Sequence, residues 1–97
     1  MIELTLYGKK IIYSALALVP STSIGEIEIL FLAREKFKLT DEEEKALEKN
    51  PDTPVSIDIH INHVHVIWRN INRQEIHLPL NERSRKLITT IETLLTQ

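Results

Sequence analysis

Cysteine is absent from the sequence, which excludes disulfide scaffolds, thiolate zinc sites and cysteine nucleophiles, and agrees with a reducing cytosol. Glycine occurs only twice. That scarcity leaves no phosphate-binding loop, no glycine fingerprint of a dinucleotide site and no G-x-S-x-G elbow, all of which place glycines where backbone must turn sharply or approach a ligand. No run reaches the roughly 18 apolar residues of a membrane-spanning helix. The opening Met1-Ile2-Glu3-Leu4 lacks the basic stretch and apolar run of a secretory signal. The nearest imitation, Lys9-Lys10 followed by Ile11 to Val19, sits behind a strand-like opening and reads as core. Charge of one sign is scarce as well. Twelve Lys and Arg against 14 Asp and Glu give a net −2, too little to draw the whole chain onto nucleic acid or an anionic membrane. The expectation is a cytoplasmic protein with no membrane contact.

What is present points to an ordinary folded domain. The 97 residues are 42% hydrophobic and 27% charged, the balance of a globular chain with one core, so residues 1–97 are expected to form a single domain. Ile2, Leu4 and Leu6 alternate with polar residues, the period of a half-buried strand. Ile11 to Val19 loses that alternation and reads as a short helix stopped by Pro20. Ser23-Ile24-Gly25-Glu26 has capping-box spacing, and a helix follows over about Ile24 to Phe37. Its apolar residues Ile27, Ile29, Leu30, Phe31 and Leu32 spread around most of the cylinder, as in a helix central to the core or buried at a subunit interface. The stretch Glu26 to Ile29 also alternates like a strand, but the cap and the run Ala33 to Lys36 favour helix. Thr40 followed by Asp41, Glu42 and Glu43 repeats the cap logic for a helix ending near Asn50, ahead of Pro51.

Beyond Pro54 the period changes. Val55, Ile57, Ile59 and Ile61 alternate with polar residues, and so do Val64, Val66 and Trp68, but the parity switches between Ile61 and Val64. A continuous strand would throw half of these side chains into water, so the spacing predicts a turn at Asn62-His63. A second turn around Asn70-Ile71-Asn72 leads to a strand over Gln74 to Leu80, pairing Val66 with Ile76 and Val64 with Leu78. Asn81 caps a last helix whose stripe is Leu87, Ile88, Ile91, Leu94 and Leu95. The expected fold is α+β: a small antiparallel sheet of three to four strands against about four helices, in the order β-α-α-α-β-β-β-α.

Leu4-Thr5-Leu6, Ile11-Ile12, Leu18-Val19-Pro20, the run Arg34 to Glu44, Val66-Ile67-Trp68 and the amphipathic end resemble small uncharacterised proteins encoded by phages and prophages of Gram-positive bacteria. The resemblance covers most of the chain and implies a phage accessory protein acting in the host cytoplasm, with no catalytic residues to carry over. Val55 to Ile61 and the histidines depart from that pattern.

Two constellations could carry chemistry. In the strand register above, His60, His65 and His77 fall opposite one another on the wet face, a row able to hold zinc through imidazole nitrogens, with Asp58 and Glu75 nearby. The same row is also what a solvated sheet face looks like, or a surface that histidine protonation would make self-repelling. Arg83, Arg85 and Lys86 open the last helix, where cations oppose the helix dipole. With Arg69 and Arg73 they read as an anion site, and the alternative is surface ion pairs with Glu75 and Glu82. Trp68 reads as core. The leading expectation is a non-enzymatic, homo-oligomeric binding protein, acting on a host protein or a small ligand in an anti-defence role and needing no cofactor. The rivals are a nucleotide or nucleic-acid binder using the five basic residues and a metal-dependent hydrolase using the histidines.

Overall fold

The computed structural model describes residues 2–17, 24–73, 76 and 78–96. Strand β1 (Ile2–Thr5) runs directly into helix α1 (Leu6–Leu16), followed by α2 (Ile24–Phe37), α3 (Asp41–Lys49), strand β2 (Pro54–Ile57), α4 (Ile61–Arg73) and α5 (Glu82–Leu95). The two strands pair antiparallel, Ile2 opposite Ile57 and Thr5 opposite Pro54. Ile2, Leu4 and Ile57 enter one buried cluster with residues from α1, α2, α4 and α5. The class is therefore α+β. Among the described residues no helix is long and apolar enough to cross a membrane.

The first helix begins earlier than the apolar pattern suggested, because Thr5 caps it, its hydroxyl oxygen accepting from Gly8 N–H at 3.1 Å. The next free donors find partners across the chain: Leu6 N–H reaches Thr53 O at 2.9 Å and Tyr7 N–H reaches Pro51 O at 3.0 Å. Those bonds fix the turn before β2 against the start of α1. At Gly8 the α5 helix comes close, and a Cβ there would stand 3.0 Å from Leu87 Cδ1. Helix α3 carries the full capping box, with Thr40 Oγ1 accepting from Glu43 N–H and Glu43 Oε1 accepting from Thr40 N–H, both at 3.1 Å. Helix α5 begins as expected, Asn81 Oδ1 accepting from Ser84 N–H at 2.8 Å. The capping role expected of Ser23 lies outside the described residues.

The segment after β2 corrects the expected topology. Residues 61–73 form helix α4 and not a hairpin, so the order is β-α-α-α-β-α-α, with two strands and five helices among the described residues. The expected turn at Asn62-His63 and the pairings of Val64 and Val66 with Leu78 and Ile76 do not form. Residues 76 and 78–80 belong to no strand, and the rest of that expected strand, 74, 75 and 77, lies outside the described residues. The physical reason is a second periodicity in the same residues. Val64, Ile67 and Ile71 recur at helical spacing and all are buried. A strand would have left Ile67 in water and put Ile71 in a turn.

His60 starts α4 in an unexpected way. Its carbonyl accepts from His63 N–H at 2.9 Å while its ring Nδ1 accepts from Asn62 N–H at 3.1 Å, the two duties of a capping residue. His60→Ala is expected to lower stability by about 1 kcal/mol in urea unfolding and His60→Asn to restore most of it. Equal stability of all three chains would show that the ring caps nothing.

Candidate functional site

The five basic residues expected to share an anion site are split between two regions. Arg69 and Arg73, one turn apart on α4, both reach back to Glu26 in the first turn of α2, at 2.8 and 3.9 Å. Arg83 is engaged with Asp52, Nε to Oδ1 at 3.1 Å. Arg83 and Lys86 line a cleft of about 160 Å³ with Glu3, Thr5 and Asp52 at its polar side and Leu4 and Leu87 at its apolar side. Arg85 points elsewhere, to a cleft of about 330 Å³ walled by Trp68, Ile71, Ile88 and Leu78. Any nucleotide at these residues would therefore meet Arg83 and Lys86, or Arg85 with Trp68, as separate sites. Trp68 is half-buried and packs on the core while lining that second cleft.

The histidines are not set in a row. His60 precedes α4 with its Nδ1 occupied, His65 stands exposed within the helix, and His77 lies outside the described residues. His63 approaches His60 with ring centroids 6.2 Å apart. The geometry that was to set His60 beside His65 does not form, because α4 replaces the middle strand and β2 ends at Ile57, before His60. Among the described residues no three His, Asp or Glu side chains come together as a metal ion would need.

Several polar contacts brace the fold. The Lys9 ammonium on α1 donates to both carboxylate oxygens of Glu43 on α3 at 2.9 Å, with the side chains only 11% and 23% exposed. Partial burial alone would raise the Glu43 pKa. The Lys9 hydrogen bond and charge, together with Thr40, outweigh it and hold the carboxyl below its ordinary range. Arg34 of α2 stacks its guanidinium 4.2 Å from the centre of the Tyr13 ring on α1. Asn81 Nδ2 donates to Tyr7 Oη at 2.8 Å. Asn70 is fully buried in α4, its amide donating to Val66 O at 2.8 Å while its own Oδ1 has no partner among the described residues.

The outward side of α2 is different. Leu30, Ala33 and Phe37 recur at helical spacing and are buried. An apolar pattern that runs around the whole helix leaves the remainder outside: Ile27, Phe31 and Leu32 are 37%, 66% and 61% exposed. Glu28 and Glu35 share this exposed side. Three large apolar side chains within two turns of one helix form a contiguous patch, unlike a single surface leucine.

No protein-family model matches the chain, and neither a curated protein nor a solved structure is significantly similar to it.

Proposed function

We propose that this is a non-enzymatic interaction protein, of the accessory kind that phages carry, and that its working surface is the outward side of α2. The observation that carries the reading is the exposure of Ile27, Phe31 and Leu32. Leaving Phe31 and Leu32 in water forgoes about 1–2 kcal/mol each, which a docked partner would recover. The ionisable groups give this reading its second support. Lys9 with Glu43, Arg83 with Asp52, and Arg69 and Arg73 with Glu26 join separate elements of the fold. An anti-defence role, with a host protein as the target, suits such a docking module.

The test is a photo-crosslinking residue placed at position 31 of the full chain in cells, beside a control at the exposed Ser14 on α1. A defined adduct is expected from position 31 and none from position 14. No adduct at 31, or the same adducts from both positions, would contradict the reading.

A further inference from the structure

We propose that helix α3 is a strap that opens as a unit while the rest of the fold stays closed, and that its opening uncovers the buried ammonium of Lys9 on α1.

Little apolar surface holds the strap down. Glu43, Ala46 and Leu47 recur at helical spacing and are half-buried, and no residue of α3 is buried. An element with so few buried apolar contacts opens locally at a fraction of the free energy of global unfolding. Its hold on α1 is the Lys9 ammonium, which donates to both Glu43 oxygens at 2.9 Å. The reciprocal bonds of Thr40 and Glu43 lie within the strap and travel with it.

The chain on either side is anchored independently. Before the strap, Phe37 ends α2 inside the core. After it, Pro51 O and Thr53 O accept from Tyr7 and Leu6 N–H at 3.0 and 2.9 Å. Between those anchors Thr40 and Asn50 are both extended, with ψ of 166° and 98°. The helix can therefore swing about residues 38–40 and 50 without pulling on either anchor.

Charge gives the opening a consequence. Among the described residues Lys9 is the only buried charged side chain. Removing its carboxylate from the closed fold would strand an ion away from water. Lifting α3 returns both charges to water together, so that penalty does not arise. An anionic group of a partner can then meet Lys9 in the open chain, whereas in the closed chain Glu43 holds its place.

Hydrogen exchange of the full chain tests the opening. The α3 amides that are hydrogen-bonded, from Glu44 N–H on Thr40 O at 2.9 Å to Asn50 N–H on Ala46 O at 2.8 Å, exchange only when the strap lifts. In wild type they should exchange at least ~10-fold faster than the slowest amides of α4 and α5. Their rates should also stay flat in low urea while those of α4 and α5 rise, because local opening exposes little surface. Acetylation of the folded chain tests the uncovering, with the exposed Lys10 as internal reference. Lys9 should react more slowly than Lys10, and Glu43→Gln should speed Lys9 acetylation and α3 exchange by the same factor. Amides of α3 that exchange in step with those of α4 and α5, with equal urea slopes, would overturn the independent opening. A Lys9 that reacts as fast as Lys10 in wild type, or does not follow α3 exchange in Glu43→Gln, would overturn the covering of Lys9.

Discussion

Replacing Ile67 by aspartate is expected to lower stability by about 4 kcal/mol or more at 25 °C. Ile67 is 3% exposed at the centre of the core-facing side of α4. The substitution removes about 1.5–3 kcal/mol of apolar burial and asks the core to take up a carboxylate with no partner. A loss of ~4 kcal/mol or more is a large share of the 5–15 kcal/mol that stabilises a typical domain. His65→Asp, two residues earlier and exposed, should change stability by less than ~0.5 kcal/mol. Urea unfolding followed by circular dichroism measures both. A strand over 64–68 would put residues 65 and 67 on the same wet face, so finding both variants equally mild would refute α4 as a helix.

The second large effect is expected at the joint between α1 and α3. None of the residues of α3 is buried, so little apolar burial holds it and the Lys9–Glu43 pair carries much of its attachment. Glu43→Ala strips the capping box of its returning acceptor and leaves a largely buried ammonium without its counter-ion, a loss of about 3 kcal/mol in urea unfolding. The double variant Lys9→Met with Glu43→Leu should recover most of that loss, because no charge is then left unpaired. The pH dependence follows from the lowered Glu43 pKa. The folded chain holds the carboxyl below its ordinary value near 4.5, so the unfolded chain binds the proton first. The stabilisation is full above the unfolded value and is lost as pH falls through the lower folded one. Wild type should therefore lose stability more steeply than Glu43→Gln as pH is lowered below about 4.5. Parallel profiles for the two chains would deny the pair that role.

The parts of this fold that could be read from sequence are those whose signals are local and single. Thr40 with Glu43, and Asn81 with the stripe Leu87 and Ile91, marked α3 and α5 through caps and helical spacing. The range of α2 was legible for the same reason, but its all-round apolar character was equally that of a helix central to the core, and only the exposure of Ile27, Phe31 and Leu32 decides against that. Residues 61–73 were misread because two periods share them. Val64, Val66 and Trp68 alternate as a strand would, while Val64, Ile67 and Ile71 recur as a helix would, and only the burial of Ile67 and Ile71 decides between them. The capping ring of His60 gave no warning either, since histidine is not among the usual capping residues. Arg83, Arg85 and Lys86 looked like one cluster because they are close in sequence. On a helix the first and third share a side while the second diverges, which is why two clefts divide them. The Lys9–Glu43 pair spans 34 positions, and nothing in either local sequence announces it.

Photo-crosslinking from successive positions of α2 in cells tests most directly whether its outward side is the surface at work. A crosslinking residue at Ile27, Phe31 or Leu32 should give one and the same defined adduct, while one at the exposed Ser14 of α1 gives none. No adduct from α2, or the same adducts from position 14, would contradict the account.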